Sequence, residues 1–328
     1  MSEPTVAILG TRYDDFAIEE DVLGPLGARL TSGSGADAAN ILAVAGDADV
    51  VLAGSAPRFD AAVIEHLSCR GIVRYGIGTD SIDLAAARRA GLWVARVSDY
   101  GTEAVATHAV TLALAGMRRL READERVRAG DWGFGHLRPL HLSSTMTAGV
   151  VGFGRIGRFT ARLLAGLGFR VLAHDPYVPV AAEEFTVTGA SLAELLRESD
   201  VVSLHLPGIP GDRPLLDEAA LTMMKPGSVL VNTARGSLVD LDALGSAMVA
   251  DRPRVAALDV FRPEPPDLAA LAEVSGRLIL TPHMAWYTAE SETDMRTKAA
   301  REAARLLRGE HPLDAVVGPE PEWEGSDT

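Results

Sequence analysis

The chain has 328 residues, of which 47% are hydrophobic, and its 45 acidic and 31 basic residues give a formal net charge of −14. This length and apolar content predict two domains with full hydrophobic cores. The negative charge argues against a general nucleic-acid or membrane-surface binder, because both need a positive field, but it leaves room for a local basic pocket.

Cysteine usage and the N-terminal sequence favour a cytoplasmic protein. Cys69 is the only cysteine, so the chain can form no intrachain disulfide and no cysteine cluster for zinc or iron–sulfur. The opening MSEPTVAILG lacks the basic segment of a signal peptide. No stretch approaches the roughly 20 apolar residues of a membrane span. The spacing of histidines and acids suggests no metal site.

Short apolar strands alternate with helical stretches through the first hundred residues. Strands are predicted at Val6–Leu9, Val50–Leu52, Ile72–Tyr75 and Trp93–Val97, with a helical stretch from Pro57–Arg58 to Leu67 and a loop at 31–40. Strands separated by helices form parallel sheets that are covered on both faces. The segment 102–129 then has the composition of one long helix, which we interpret as a bridge between domains.

After a loop at 130–142, the stretch 147–175 has the pattern of a dinucleotide-binding fingerprint: strand, G-x-G-x-x-G, helix, strand and acid. Its members are Val150 and Val151, the glycines Gly152, Gly154 and Gly157, the helix Ile156–Leu167, the strand Arg170–Ala173, and Asp175. The glycines permit a tight turn, close approach of a pyrophosphate and close helix–strand packing. The helix N-terminus offers free N–H groups to the phosphates.

Asp175 would accept hydrogen bonds from the adenosine ribose and repel a 2′-phosphate, which favours NAD over NADP. The alternative is a glycine-rich turn in an α/β protein that binds no ligand. The strand before the glycines, the helix after them and the acid about 20 residues further on favour the cofactor site.

The second half of the chain continues the alternation. Strands are predicted at Val201–Leu204, Ser228–Asn232, Val255–Asp259 and Leu278–Leu280, followed by a helix at about Ala289–Leu307 and an acidic tail from Gly318 that we expect to be disordered. The fingerprint therefore lies mid-chain. We predict an α/β fold of two Rossmann-like domains: a doubly wound parallel-sheet dinucleotide domain, 100–283, inserted into a smaller flavodoxin-like substrate domain, 1–99 plus 284–328. The substrate is expected in the cleft between them.

Three polar residues follow the carboxyl ends of predicted strands, where open α/β sheets bind ligands. Arg235 lies in NTARG, Glu264 in LDVFRPEP and His283 in LTPHMAW. Arginine can hold a carboxylate bidentately, and histidine can protonate a carbonyl oxygen as hydride arrives. A glutamate beside that histidine would stabilise the imidazolium and fix its orientation. Taken singly, each has a structural alternative: a loop arginine on backbone carbonyls, an exposed turn acid, or a loop-capping histidine. Together they indicate hydride transfer to an α-keto acid.

The ordered motifs GFGRIG, NTARGSLVD, ALDVFRPEP and TPHMAW resemble the D-isomer-specific 2-hydroxyacid dehydrogenase family, over nearly the whole chain from RYGIGTDSIDL to the last helix. The resemblance is to its C-terminal-binding-protein and phosphoglycerate-dehydrogenase branches. It implies that Arg235 binds the substrate carboxylate and carbonyl, that Glu264 supports His283, and that His283 is the acid/base in interconverting a 2-oxo acid and its D-2-hydroxy acid. It also implies a homodimer formed through the nucleotide domains.

The fingerprint and the resemblance together imply further site residues. For the cofactor they are Gly152, Gly154, Arg155, Ile156, Gly157, Asp175, Leu206, Pro207, Thr233, Ala234 and Asp259, with Asp259 at the nicotinamide carboxamide. The backbone N–H groups of Gly76, Ile77 and Gly78 would bind the substrate carboxylate. Trp286 either walls the substrate pocket or packs the domain hinge. Family members commonly carry a threonine-rich loop where this chain has PGIPGDRP (207–214), so the cofactor contacts there stay open.

The sequence leaves alternatives open. The AWY ending after His283 resembles the C-terminal-binding-protein branch of NAD-sensing transcriptional co-repressors, which motivates an NAD(H)-sensing interaction protein with little turnover. The intact arginine, glutamate and histidine argue against it, because a pure sensor need not retain all three. Scattered arginines such as Arg74 and Arg96 leave open a phosphorylated or phosphonate substrate. His108, in an apolar helical stretch, is interpreted as a core or hinge histidine.

Overall fold

The structure, a computed structural model, describes residues 3–11, 13, 15–178, 180, 187–208 and 213–319. It divides into two compact units: unit 1 comprises Met1–Gly101 and Thr288–Thr328, and unit 2 comprises Thr102–Tyr287. Unit 2 is therefore a continuous insertion into unit 1. The end of the acidic tail and the centre of the 207–214 loop, on which two sequence expectations fall, lie outside the described residues.

Unit 1 begins with strands and helices in alternation. They are β1 (Thr5–Leu9), α1 (Ala17–Leu23), β2 (Arg29–Gly33), α2 (Ala38–Ala45), β3 (Val50–Ala53), α3 (Ala61–Ile64), β4 (Gly71–Arg74), α4 (Leu84–Arg89) and β5 (Trp93–Ala95). Asp37, Asp60 and Asp83 cap α2, α3 and α4, each accepting a backbone N–H of the first turn. These caps fix where the helices begin.

Unit 2 continues the alternation. Its elements are α5 (Thr102–Met117), α6 (Leu120–Arg128), β6 (Thr147–Val151), α7 (Arg155–Gly166), β7 (Arg170–His174), β8 (Val187–Gly189), α8 (Leu192–Glu198), β9 (Val201–Leu204), α9 (Glu218–Met223), β10 (Val229–Asn232), α10 (Leu241–Val249), β11 (Val255–Leu258) and β12 (Leu278–Leu280). The chain then returns to unit 1 with α11 (Ala289–Leu307) and β13 (Ala315–Val317). Among the described helices, none combines the length and apolar content needed to cross a membrane.

The described strands form one sheet in each unit. The order is β13-β5-β4-β3-β1-β2 in unit 1 and β12-β11-β10-β9-β6-β7-β8 in unit 2. Every pair is parallel except β13 with β5. In unit 2 the strand order reverses beside β6, which creates the crevice where such sheets bind ligands. Two parallel Rossmann-like sheets confirm the predicted fold class.

Apolar side chains cover both faces of the unit 2 sheet. Val150 and Val151, adjacent in β6, are buried in two different core clusters. Since successive side chains of a strand point to opposite faces, this unbroken apolar sequence indicates a central strand buried on both sides. The glycine turn that follows β6 is therefore held on a rigid support.

The single helix predicted at 102–129 is wrong. α5 ends at Met117 and α6 begins at Leu120, with Arg119 in the left-handed region at φ +51°. The Arg119 guanidinium donates to Glu122 and to the carbonyl oxygen of His136, the latter at 3.1 Å. These contacts offset the cost of the left-handed conformation. Gly116 lies in the last turn of α5 and stays helical, and no glycine or proline stands between the two helices.

Two further sequence expectations are corrected. The loop expected at 31–40 contains the end of β2 and the start of α2, and the helical stretch expected as far as Leu67 forms only the short α3. β2 has a mostly polar sequence, RLTSG, and is held by its backbone ladder along β1. Such a strand lacks the apolar alternation by which strands are recognised.

Candidate active site

The glycine turn between β6 and α7 needs two of its glycines for steric reasons. Gly152 has φ +96°, and a Cβ there would lie 2.6 Å from the carbonyl oxygen of His205. A Cβ at Gly157 would lie 1.9 Å from the carbonyl oxygen of Gly152. Gly152 therefore makes the tight turn, and Gly157 lets α7 pack against it.

Gly154 differs from its two neighbours because the space beside it is open. A Cβ at Gly154 would meet no atom of the described residues within 4 Å, apart from its chain neighbours. Gly154 is the N-cap of α7, and no side chain caps the N–H groups of the first turn there. A phosphate at this point could accept those N–H groups and lie against the positive end of the helix dipole. The turn thus fits a dinucleotide, and the glycine that protein packing does not require is the one a pyrophosphate would approach.

Asp175 follows β7 and is tied to the same turn. Its Oδ2 accepts the N–H of Phe153 at 2.7 Å, and its Oδ1 accepts those of Tyr177 and Val178 at 2.8 and 2.9 Å. Burial alone raises the pKa of Asp175, but these three N–H donors outweigh it, so the pKa lies below its usual value. The carboxylate is therefore charged, and its remaining lone pairs are suited to ribose hydroxyls.

The other residues expected to contact the cofactor follow the strands beside β6. Leu206 and Pro207 come after β9, and Thr233 and Ala234 come after β10. The hydroxyl of Thr233 is buried and has no hydrogen-bond partner among the described residues. His205 directly precedes Leu206 and Pro207. Its Nε2 lies 2.9 Å from Ser203 Oγ. His205 keeps some exposed surface, yet burial of its ring lowers the pKa to about 3, so the imidazole is neutral at physiological pH.

The turn after β10 carries Arg235. The side chain of Asn232 fixes this turn, because its Oδ1 accepts the N–H of Ala234 at 3.0 Å and its Nδ2 donates to the carbonyl of Arg235 at 2.8 Å. A Cβ at Gly236 would lie 2.1 Å from the carbonyl carbon of Phe261. Only glycine permits this approach, so the turn that carries Arg235 packs backbone to backbone against the turn that follows β11.

Glu264, in that second turn, contacts His283 directly. Glu264 Oε2 lies 2.8 Å from His283 Nδ1, and Oε1 accepts the N–H of Phe261 at 2.9 Å. An ionised carboxylate only accepts, so Nδ1 carries the proton of the neutral ring and Nε2 is the remaining ring nitrogen. The side chains of Glu264 and His283 are 38% and 44% exposed. A substrate can therefore reach the histidine.

Asp259 holds the turn that presents His283. The residue is fully buried, and its carboxylate accepts the Thr281 hydroxyl at 2.5 Å and the N–H groups of Met284 and Ala285, both at 2.9 Å. The N–H of His283 donates to the Asp259 carbonyl at 2.8 Å. His283 itself has φ +53°. These contacts hold the left-handed backbone of His283, while contact of Asp259 with the nicotinamide stays a prediction.

Two residues brace this turn, and sequence reasoning singled out His108 but missed Thr281. In α5, the Nε2 atom of His108 lies 3.1 Å from Thr281 Oγ1 and 3.8 Å from Asp259 Oδ1. The interpretation of His108 as a structural histidine accords with these contacts. The only signal for Thr281 and Asn232 in the sequence is that each lies at the carboxyl end of a strand.

The predicted substrate-binding residues fall in both units. Gly76, Ile77 and Gly78 follow β4 in unit 1, whereas Trp286 lies in unit 2. The backbone N–H groups of Ile77 and Gly78 have no acceptor among the described residues. Trp286 is half-buried, and its ring meets that of Tyr287 edge to face, with centroids 5.7 Å apart. This contact does not decide between a pocket wall and a hinge.

Comparison with known proteins assigns the chain to a family. The family model described as the NAD-binding domain of D-isomer specific 2-hydroxyacid dehydrogenase matches residues 110–285. The chain belongs to this family. Residues 110–285 of this 2-hydroxyacid dehydrogenase chain therefore form its NAD-binding domain, and NAD is the cofactor that the open glycine turn and Asp175 fit.

Individual relatives agree with this assignment. The chain is 38% identical over 284 residues to D-3-phosphoglycerate dehydrogenase of Mycobacterium leprae, covering 86% of this chain and 53% of that protein. It is 42% identical over 226 residues to (S)-sulfolactate dehydrogenase of Chromohalobacter salexigens, covering 68% and 72%. The solved D-lactate dehydrogenase of Aquifex aeolicus, complexed with NAD and lactic acid, superposes with a TM-score of 0.86 at 26% identity, covering 96% of this chain and 100% of that one.

The chain spans about half the length of the phosphoglycerate dehydrogenases that it matches. Of the two branches that the motifs suggested, these relatives support the phosphoglycerate-dehydrogenase-like branch of the 2-hydroxyacid dehydrogenases. The described residues contain no cluster of His, Cys, Asp and Glu side chains that could hold a metal ion.

Proposed function

We propose that this protein is an NAD-dependent oxidoreductase that interconverts a 2-oxo acid and its D-2-hydroxy acid. The observation that carries the proposal is the Glu264–His283 pair, 2.8 Å apart and accessible to a substrate, in the turns that follow β11 and β12. Arg235 follows β10, the strand next to β11. The carboxyl ends of these parallel strands lie at one edge of the sheet, which is where such sheets bind ligands.

Each side chain has a defined part in the proposed reaction. NAD, when bound, supplies or accepts the hydride. His283 gives a proton from Nε2 to the carbonyl oxygen during reduction and takes it back during oxidation. Glu264 accepts from Nδ1, which fixes the ring and stabilises the imidazolium. Arg235 binds the substrate carboxylate and polarises the carbonyl through its fixed guanidinium fork.

The amides of Ile77 and Gly78 are proposed to take the substrate carboxylate as well. Their N–H groups need an acceptor that the described residues do not provide. Two adjacent backbone N–H groups in a glycine-rich turn form a concave anion site. The related enzymes named for phosphoglycerate and sulfolactate suggest a substrate with a second strong acid group, whereas the D-lactate relative does not. These relatives are dehydrogenases, which favours turnover over the co-repressor alternative.

An activity panel tests the proposed function. The purified protein is incubated with NADH, and in parallel with NADPH, and with the 2-oxo acids that correspond to D-lactate, D-3-phosphoglycerate and (S)-sulfolactate. We expect NADH oxidation with at least one acid and a clear preference for NADH, because Asp175 repels the 2′-phosphate. Absence of turnover across the panel would contradict the proposed reaction, and a preference for NADPH would contradict the role of Asp175.

We also propose a homodimer formed through unit 2, in a cytoplasmic protein. Large apolar side chains are exposed on α6 and on the loop that follows it: Leu120, Val127, Trp132, Phe134 and Leu142. Trp132 is 88% exposed and Phe134 is 65% exposed. Exposed apolar side chains that form a patch mark an interaction site, and we propose that these do so. A second copy, with the same patch, is the occupant that a two-fold interface supplies.

Light scattering after gel filtration tests the dimer. We expect the mass of a dimer for the wild type and of a monomer for Trp132→Glu combined with Phe134→Glu, because the introduced carboxylates would be buried in the interface without partners. Leu313→Glu is the control, since Leu313 is 78% exposed in unit 1. A wild-type monomer, or a dimer that the double variant leaves intact, would contradict this interface.

A further inference from the structure

A buried arginine lies beneath the Gly76–Gly78 loop. Arg74 is the last residue of β4 and is only 6% exposed. Its Nε donates to the carbonyl oxygen of Gly78 at 2.8 Å, and its Nη1 donates to the carbonyl oxygen of Ala53 at 2.8 Å. One guanidinium therefore joins the end of the neighbouring strand β3 to the far side of the loop.

These two contacts depend on the shape of the arginine side chain. A guanidinium carries five N–H donors in a rigid plane, so it can hold two carbonyl groups in fixed directions at once. A lysine carries the same charge at a single point on a flexible stem and cannot reproduce both contacts. The sequence left open a direct contact of Arg74 with a phosphate or a second carboxylate. The observed carbonyl contacts favour a role within the loop itself.

The carbonyl groups of Gly76 and Gly78 are held, whereas the N–H groups of Ile77 and Gly78 have no acceptor among the described residues. The N–H of Gly76 differs, because it donates to the Arg74 carbonyl oxygen at 3.0 Å. The Gly76 carbonyl accepts the N–H of Val97 at 3.2 Å, so the N–H of the same peptide unit, that of Ile77, is directed away from Val97. The Gly78 carbonyl accepts from Arg74. Gly76 has φ +126°, which only glycine adopts without strain. The result is a turn whose Gly76 and Gly78 carbonyl groups are hydrogen-bonded and whose Ile77 and Gly78 N–H groups are available to an anion.

The start of the loop has an independent anchor. The hydroxyl of Tyr75 donates to Glu19 Oε1 at 2.9 Å, and Arg296 of α11 binds both carboxylate oxygens of Glu19, at 3.0 and 2.6 Å. Glu19 is fully buried, and Tyr75 and Arg296 are each 6% exposed. This cluster fixes residue 75 but does not reach Gly78. Beyond Tyr75, the N–H of Val97 holds the Gly76 carbonyl, and the Arg74 guanidinium holds the Gly78 carbonyl.

We propose that Arg74 is a positioning residue for substrate binding. Its guanidinium holds the carbonyl side of the loop inward so that the Ile77 and Gly78 amides are set for the substrate carboxylate, and its positive charge behind the loop favours that anion. The inference rests on the proposed function, in which this loop binds the carboxylate. It assigns Arg74 no contact with the reacting atoms.

Two substitutions and a matched control test this role. Arg74→Met removes the charge and both contacts, and Arg74→Lys keeps the charge alone. Arg70→Met is the control, because Arg70 precedes the same strand at its opposite end and likewise holds backbone carbonyls, those of Leu306 and Leu307 at 3.1 and 2.9 Å. For each protein we would measure kcat and KM for the best 2-oxo acid, the Kd of NADH, the Kd of oxamate for the NADH complex, and Tm.

We expect the substrate affinity to change and the chemical step to persist. Arg74→Met should raise KM and the oxamate Kd by about 100-fold and Arg74→Lys by about 10-fold, which is the range for loss of hydrogen bonds to a charged group. The NADH Kd should stay within about twofold, because the carbonyl groups that Arg74 holds, those of Ala53 and Gly78, lie in unit 1, outside the NAD-binding domain. Arg70→Met should lower Tm without changing KM.

The outcomes separate this inference from the proposed function. An unchanged KM and oxamate Kd in Arg74→Lys, with only Tm lowered, would reduce Arg74 to a structural residue. Arg74→Lys alone decides the matter if Arg74→Met does not fold. A wild type that turns over no 2-oxo acid contradicts the proposed function instead. In that case the oxamate Kd still reports on the loop, and equal values for wild type and Arg74→Lys overturn the inference.

Discussion

Replacing His283 by alanine should lower kcat by about 10³-fold, within the roughly 10²–10⁴-fold range for loss of a general acid–base group, while NADH binds as tightly as before. The reason is the geometry of the Glu264–His283 pair. Glu264 accepts a hydrogen bond from Nδ1 at 2.8 Å, so Nε2 is the ring nitrogen that remains for the substrate. Stopped-flow reduction of the best 2-oxo acid gives the rate, and NADH fluorescence gives the affinity.

The backbone at His283 requires a second variant. Its φ of +53° is unfavourable for alanine, whereas asparagine tolerates the left-handed region well. His283→Asn should therefore lose turnover with a Tm closer to that of the wild type. His66→Ala is the control, because His66 is an exposed histidine in unit 1 whose ring hydrogen-bonds to the carbonyl of Ala62. Loss of NADH affinity in step with turnover in both His283 variants would give His283 a structural role instead.

Substituting the glycines of the turn should give two opposite phenotypes. Gly154→Ala should weaken NADH binding by about 10- to 100-fold, the equivalent of the 1–3 kcal/mol that overpacking typically costs, because its methyl group would occupy the space of the pyrophosphate. The apo protein should keep its Tm, since that methyl group meets no protein atom within 4 Å. Gly157→Ala should lower Tm even without cofactor, since its Cβ would lie 1.9 Å from the Gly152 carbonyl oxygen.

Gly166→Ala is the matched control for both substitutions. Gly166 ends the same helix, α7, and a Cβ there also meets nothing within 4 Å. It should leave NADH binding unchanged and stabilise the helix slightly, by up to about 1 kcal/mol. Calorimetry of the apo and NADH-bound proteins measures both properties. If Gly154→Ala bound NADH normally, the cofactor phosphates would not lie at this turn.

Much of the fold could be predicted because local patterns determine it. The strands Val201–Leu204 and Leu278–Leu280 and the helix Ala289–Leu307 have the predicted bounds, since apolar runs and a capping threonine before the helix mark them. The break at Arg119 could not be predicted, because it depends on contacts with Glu122 and His136 rather than on a residue that ends helices.

The candidate site could likewise be predicted only in part. The sequence placed Arg235, Glu264 and His283 at strand ends, and the structure brings Glu264 and His283 into contact. Their catalytic roles, like the cofactor role of Asp259, stay predictions. The residues that hold the turns were not predicted. Asp259 and Asn232 act through hydrogen bonds to backbone groups whose positions only the folded chain defines.

The backbone contact between Gly236 and Phe261 has a consequence for how specificity can change. With no side chain between them, the turn of Arg235 and the turn of Glu264 cannot shift independently. A longer or bulkier substrate could not be accommodated by moving one turn without displacing the other. Changes in substrate range among proteins with this contact should therefore accumulate outside these turns. The chemistry would be inherited as a fixed unit while selectivity diverges around it.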